Sequence, residues 1–319
     1  MKKLFALVCV MLLVVSMTAC GGDSDAKYKI GICQIQTHPA LDAATKGFVD
    51  TINAEFGEGV VEFDTQIAAG DTNTCSTIVN AFVADNVDLI LANATPSLQA
   101  AANATEDIPI LGTSVTEYGV ALGIENFSGT VGTNVSGTSD LAPLDQQAAM
   151  VKEWFPDATT VGLLYCSAEA NSKYQVDKVQ GYLEELGYTC TQYAFSATSD
   201  MEAVTRQAAE NSDVIYVPTD NTVAEGTGIV NAVCSEAKVP VIAGEQGICS
   251  GCGVATLSID YYDLGVATGK MAIEILKNGA DISQMPVSYS EEFAALYNEE
   301  ICTALNITQI PEGYAPITQ

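Results

Sequence analysis

Arginine is all but missing. One residue of the 319, Arg206, is an arginine, and twelve cations in total face forty aspartates and glutamates, a formal net charge of −28. Recognition of a polyanion needs clustered cations, so nucleic acid is excluded as a partner. An anionic group on a smaller ligand could not be gripped by an arginine fork either. Hydroxyls, backbone amides and helix N-termini would have to hold it. Histidine and tryptophan are equally scarce, with His38 and Trp154 the single copies. A Ser–His–Asp triad would have to use His38, and no Gly-x-Ser-x-Gly elbow accompanies it. His38 reads instead as a turn or cleft residue, with Pro39 at the first helical turn behind it. Trp154 shares a helical apolar stripe with Val151 and Phe155, which reads as core. With no nucleophile–base pair and no metal set, neither catalytic residues nor a cofactor nor a metal is expected.

A comfortable membrane span is missing too, since the apolar run at residues 4–15 falls short of the ~20 residues required. That run has another use. Lys2 and Lys3 precede it, and Met17-Thr18-Ala19-Cys20 follows with small residues before a cysteine. A charged start, a short apolar stretch and a small-residue cleavage site make residues 1–19 a secretory leader. Ending on cysteine, it resembles a bacterial lipoprotein signal, with Met17 where that pattern prefers leucine. The resemblance implies Cys20 as the lipidated first residue of the mature chain, followed by a flexible tether to residue 27. Eight cysteines then remain besides Cys9 and Cys20: Cys33, Cys75, Cys166, Cys190, Cys234, Cys249, Cys252 and Cys302. An even number outside the cytoplasm permits disulfides without deciding their pairing. Cys249-Ser250-Gly251-Cys252 reads as part of a Gly-rich loop, holding a local disulfide or inert thiols. Redox chemistry and metal binding are rivals, and the second would need two further ligands that no other CxxC or nearby histidine supplies.

The chain repeats itself. Residues 28–57 run strand, polar turn, helix and stop at Gly57; residues 160–187 do the same and stop at Gly187, with Gly31 matching Gly162 and Gly47 matching Gly181. Short continuous apolar runs follow in both halves, at 88–97 and 213–222, as expected of strands covered on two faces. Residues 108–117 likewise parallel 239–248. Apolar residues at helical spacing lie between, such as Ile78, Phe82 and Val83, or Ile229, Val233 and Ala237. Repeated strand–helix units predict an α/β chain of two Rossmann-like lobes, each with a parallel, doubly wound sheet, joined by a multi-strand hinge. The expected division is 28–139 plus 260–286 for the first lobe and 140–259 plus 287–319 for the second. A helix over 266–277 has no counterpart in the first repeat and is expected to cross back, with 286–298 crossing again and 299–305 as the final helix.

In open α/β sheets ligands bind beyond the carboxyl ends of the strands. Here those ends are small and polar in both halves. The first offers Gln36, Thr37, His38 and Asp42, then Asn93, Thr95 and Ser97, then Thr113, Ser114, Thr116 and Glu117. The second offers Ser167, Glu169, Asn171 and Ser172, then Thr219, Asp220, Asn221 and Thr222, then Glu245 and Gln246, with Asp260 at the last strand end. Any one of these could simply cap a helix. Six polar turns in matching places instead predict a shared site between facing lobes.

Several motifs carry a family resemblance: His38-Pro39-Ala40-Leu41-Asp42, Ala94-Thr95-Pro96, Gly137-Thr138-Ser139-Asp140, Glu169-x-Asn171-Ser172, Pro218-Thr219-Asp220-Asn221-Thr222 and Ile259-Asp260-Tyr261-Tyr262. Together, across nearly the whole mature chain, they resemble the substrate-binding lipoproteins of tryptophan/tyrosine-type ABC importers, with the type I periplasmic-binding-protein fold. Thr37, where that pattern favours an acidic residue, and the Cys249–Cys252 motif depart from it. The resemblance implies a monomer, tethered outside the cell membrane, that captures a small zwitterion, most simply an aromatic amino acid, and delivers it to a permease. It implies that Thr95, Ser97 and Ser114 hold the carboxylate while Glu169, Asn171, Asp220 and Asn221 close over the ammonium. Tyr261 and Tyr262, at the hinge, would line the side-chain pocket or serve the fold. A sugar or nucleoside ligand, or a sensing role, would keep the same fold.

Overall fold

The structure, a computed structural model, describes residues 26–318, so the leader, Cys20 and most of the tether lie outside the described residues. The first lobe runs β1 (Tyr28–Gln34), α1 (Pro39–Phe56), β2 (Val61–Ile67), α2 (Thr72–Ala84), β3 (Leu89–Asn93), α3 (Thr95–Ala104), β4 (Ile110–Val115), α4 (Tyr118–Leu122) and β5 (Val135–Ser139). The second runs α5 (Leu144–Trp154), β6 (Thr160–Cys166), α6 (Ala170–Glu185), β7 (Thr189–Phe195), α7 (Thr198–Asn211), β8 (Val214–Val217), α8 (Asn221–Glu225), α9 (Thr227–Ala237), β9 (Val241–Ala243), α10 (Gln246–Cys252) and β10 (Ala255–Ser258). The closing elements are α11 (Tyr261–Asn278), β11 (Ser288–Tyr289), β12 (Ala294–Tyr297), α12 (Glu299–Ala304) and β13 (Ala315–Pro316).

The two sheets have one plan. The first is ordered β11-β5-β4-β3-β1-β2 and the second β13-β12-β10-β9-β8-β6-β7. Within them β5-β4-β3-β1-β2 and β10-β9-β8-β6-β7 are the same doubly wound order, all parallel, so the repeat read from the sequence is a repeat of topology. Central strands such as β3 and β8 are buried at every residue, while the edge strand β2 exposes most of its length. That is why β3 and β8 read as unbroken apolar runs: helices cover both faces. Apolar clusters fill both faces of the first sheet and both faces of the second, and Trp154 lies in one of them against Tyr314, edge to face.

Three segments join the lobes. Residues 140–143 lead out of β5, residues 259–260 lead back from β10 into α11, and residues 290–293 lead from β11 to β12, which pairs antiparallel with β10. Helix α11 lies along α1, and small residues let their backbones meet. A Cβ on Gly47 would come 2.1 Å from the Tyr262 carbonyl oxygen, and one on Gly265 would come 2.0 Å from that of Ala44.

Three expectations need correction. Helix α11 starts at Tyr261 rather than at 266, because the Asp260 carboxylate caps it by accepting from the amides of Tyr262 and Asp263. Residues 287–289 stay with the first lobe: Val287 is buried in its core and β11 pairs with β5. The Cys249–Cys252 stretch is helix α10, not a loop, since the Glu245 carboxylate takes up the first free amides and Asn298 the carbonyls of Cys249 and Ser250.

Candidate ligand-binding cleft

The carboxyl ends of the strands of both lobes face one seam. At the end of β3, Ala94 turns through a positive φ of 85° and sets Thr95 at the start of α3. At the end of β4 the register with β5 slips between Gly112 and Val115, and Ser114 sits there at a φ of 54°. A bulge re-aims a side chain, and a positive φ on a residue with a Cβ is strain that the surrounding fold has to hold. One distortion falls on Ser114 and the other on Ala94, immediately before Thr95.

Five buried side-chain atoms near this seam meet no hydrogen-bond partner among the described residues: Thr95 Oγ1, Ser114 Oγ, His38 Nδ1, Asp140 Oδ1 and Asn171 Oδ1. Folded proteins pair nearly all such atoms, so their concentration here marks a surface built to meet something polar. The lobes also touch directly. The Gln36 amide donates to the Asn221 carbonyl, His38 Nε2 lies 3.2 Å from Asn221 Oδ1, and the Tyr261 hydroxyl donates to Asp140 Oδ2 at 2.9 Å. Two cavities lined from both lobes flank these contacts. One, about 220 Å³, touches Gln36, Pro96, Glu169 and Asn221; the other, about 300 Å³, touches Pro39, Ala40, Glu245, Ile259, Tyr261 and Tyr262.

Acidic groups crowd the second wall. Glu169 accepts from the Asn221 amide at 3.0 Å, the Asn221 side chain at 2.6 Å, the Thr222 amide at 2.9 Å and the Thr222 hydroxyl at 2.7 Å. Asp220 accepts from the amides of Cys166 at 2.7 Å and Val223 at 2.9 Å. Burial, and then the Glu169 carboxylate beside it, push Asp220 well above the usual carboxylate range. Burial pushes Glu245 up to about 7, with Asp140 adding to the shift, although Glu245 accepts from the amides of Gly247 and Ile248. Burial raises Asp140 as well and lowers His38.

Of the residues singled out in the sequence, Gln36, Thr95, Ser114, Glu169, Asn171, Ser172, Asp220, Asn221 and Glu245 are buried at or just behind this seam. Thr219 stands half-buried beside them, its carbonyl accepting from Asn171 and Gln175. Two others are turned elsewhere, and a third, Asp260, lines the larger cavity while capping a helix. Ser97 is buried, but its hydroxyl lies 3.7 Å from both the Cys33 and Cys75 sulfurs, under the sheet's own helices. Asp42 is exposed and accepts from the Gln34 amide group at 2.7 Å, while Asp260 is exposed and caps α11. Glu169 and Asp220, assigned to the ammonium by resemblance, are already engaged by the start of α8. Asp140 was quoted in a motif yet absent from the expected site; its signal was its place immediately after β5. The thiols of Cys249 and Cys252 are buried and unpaired in this structure, and burial raises both well above the ordinary range, which disfavours the reactive thiolate. Among the described residues no group of metal-ligating side chains comes together, and no helix is long and apolar enough to cross a membrane.

Comparison with known proteins agrees with this geometry. The family described as ABC transporter substrate binding protein matches residues 29–313. A tyrosine-binding protein of Clostridioides difficile is 38% identical over 290 residues, 90% of this chain and 84% of that protein. The crystal structure of an ABC domain in complex with L-Trp from Streptococcus pneumonia superposes with a TM-score of 0.86 at 33% identity, covering 92% of this chain and all of the other. The ligand-free, open structure of a substrate binding protein with adhesive properties from Clostridium difficile gives a TM-score of 0.69 at 39% identity, covering 92% and 99%. The TM-score is higher against the L-Trp complex than against the open, ligand-free structure. This two-lobed chain, with its polar seam at the strand ends, belongs to the ABC transporter substrate-binding protein family.

Proposed function

We propose that the protein captures an aromatic amino acid, tyrosine or tryptophan, between its lobes and presents it to the membrane subunits of an ABC importer. One observation carries the reading: the hydroxyls of Thr95 and Ser114 are buried and unpaired at the strand ends of the first lobe, and the carboxylates of Glu169, Asp220 and Glu245 are buried at the strand ends of the second. A zwitterion answers both sides, and the near-absence of arginine suits a carboxylate held by hydroxyls and the start of α3. The ring occupies the cavity of about 300 Å³ beside Tyr261, within the size range of small-molecule pockets. The ligands named for the relatives from Clostridioides difficile and Streptococcus pneumonia support the aromatic side chain. In this reading the site performs no chemistry. Closure around the ligand by hinge motion lets a permease tell loaded from empty. The protein acts as a monomer, held at the outer face of the cell membrane by lipid on Cys20.

The test is a thermal-shift panel on the soluble chain from Ser24, unfolded and refolded to strip carried ligand. At a hundredfold excess over Kd a true ligand adds ~2.7 kcal/mol, a rise of roughly 4 °C. Tyrosine and tryptophan should give it; a rise only with sugars or nucleosides would overturn the assignment. In the full-length chain, Cys20→Ser should release the protein from the membrane fraction, and retention there would remove the anchor.

A further inference from the structure

The cleft carboxylates differ in what already occupies their oxygens. Glu169 and Asp220 meet the amides at the start of α8, and Glu245 meets those at the start of α10. Asp140 meets no helix start. Its Oδ2 accepts the Tyr261 hydroxyl at 2.9 Å, the Thr116 hydroxyl also bears on the carboxylate, and its buried Oδ1 meets no hydrogen-bond partner among the described residues. The groups that face it are Tyr261 at the start of α11, Thr116 after β4, Tyr118 of α4, and Glu245 from the second lobe. None of these is a cation. A buried carboxylate with a bare oxygen and another acid nearby lacks the positive partner that burial demands.

Its place in the sheet says where that partner comes from. Thr95 follows β3, Ser114 ends β4 and Asp140 follows β5; the three strands are neighbours, with Asn93 opposite Thr113 and Val115 opposite Ser139. Adjacent strands lie ~4.8 Å apart. An α-amino acid carries its ammonium one carbon from its carboxylate. A carboxylate seated between Thr95 and Ser114 therefore puts the ammonium at the exit of β5.

We propose that Asp140 is the ammonium-recognising residue of this cleft, held in position by the Tyr261 hydroxyl. The inference rests on the amino-acid reading above and replaces Glu169 and Asp220 in the ammonium role that the resemblance gives them. Asp140 opens the first segment that joins the lobes and Tyr261 follows directly on the second, so the ligand's positive charge sits at the hinge. Selection for the α-amino group and closure of the lobes thus share one contact.

The experiment compares each amino acid with its deaminated analogue: tyrosine against 3-(4-hydroxyphenyl)propionate, tryptophan against 3-(indol-3-yl)propionate. Calorimetric Kd values are taken for the wild type, Asp140→Asn, Tyr261→Phe and Glu169→Gln, each checked for a cooperative melt. The wild type should prefer the amino acid by about 10- to 150-fold, the range for a hydrogen bond to a charged group. Asp140→Asn should abolish most of that preference, and Glu169→Gln should weaken both partners of a pair alike. Tyr261→Phe, which keeps the ring, should cut the preference several-fold, and it decides the matter if Asp140→Asn does not fold. A wild-type preference kept by Asp140→Asn, or by Tyr261→Phe where it must stand in, overturns the inference and leaves the amino-acid reading standing. A preference lost in Glu169→Gln instead does the same. A wild type that binds no amino acid overturns both.

Discussion

Thr95→Val removes one oxygen and leaves the shape of the side chain almost unchanged. The Thr95 hydroxyl is buried at the first position of α3 and has no partner among the described residues. Valine keeps the β-branch and fills the same space, so no cavity forms. Opening of the lobes lets the hydroxyl reach water, and the ligand-free protein loses nothing it was using. Its stability should move by no more than ~0.5 kcal/mol, roughly 1 °C in Tm for a chain of this size. Binding is different. A hydrogen bond to a carboxylate is worth ~1.5–3 kcal/mol, so affinity for tyrosine or tryptophan should fall roughly 10- to 150-fold. Calorimetric titration gives the affinity and differential scanning calorimetry the stability. Unchanged affinity would show that the hydroxyl does not meet the ligand. A Tm lowered well beyond that range with affinity intact would show a structural hydroxyl and refute the use of unpaired atoms to locate the site.

Two further perturbations test other links. Glu245 is raised to about 7, so in the closed fold it keeps a proton that an ordinary carboxylate has lost. A raised carboxylate contributes stability below its ordinary pKa and loses it as pH rises through the folded value. The closed, ligand-free form should therefore weaken from about pH 5 to about pH 8. A ligand ammonium placed near Glu245 favours the ionised form, so affinity should change in the opposite sense, rising roughly 30-fold from about pH 5.5 to about pH 8 if one such proton must leave. Titrations in buffers of different ionisation enthalpy should detect that proton's release, and a flat pH profile would exclude Glu245 as a group whose charge the ligand feels. Gly265→Ala sets a methyl group 2.0 Å from the Ala44 carbonyl oxygen, a backbone atom that cannot swing away. Overpacking of ~1–3 kcal/mol, offset by up to ~1 kcal/mol of helix propensity, leaves a net loss of up to ~3 kcal/mol and should lower Tm by up to roughly 5 °C; a raised Tm would mean that α1 and α11 are less closely held.

The repeat was legible because it is written in periodicity. β3 and β8 are continuous apolar runs for the reason that helices cover both faces, and that requirement acts on each residue separately. The polar strand ends were legible for a similar reason, since in a parallel sheet every carboxyl end lies on one side. What could not be read was the direction of each side chain. Thr95 and Ser97 are two residues apart at one helix start, and nothing local distinguishes them. The Thr95 hydroxyl is left without a partner, while that of Ser97 meets the Cys33 and Cys75 sulfurs in the cluster that includes residues of β1 and α2. Glu169 and Asp220 looked like free acids because their donors, the amides of Cys166, Asn221, Thr222 and Val223, come largely from other strand ends. The Cys249–Cys252 stretch looked like a loop because its cap and its closing donor are Glu245 and the distant Asn298.

By itself, then, the sequence determined the class of fold, the pairing of its halves and the band of strand ends where a ligand sits. Those follow from local patterns of burial that each residue carries. Only the tertiary structure decided which polar groups are already paired and which, like Thr95, Ser114 and Asp140, are buried with an atom still free. Hydrogen-bond satisfaction is a property of neighbours brought together from distant segments, and a site is the place where those neighbours are incomplete.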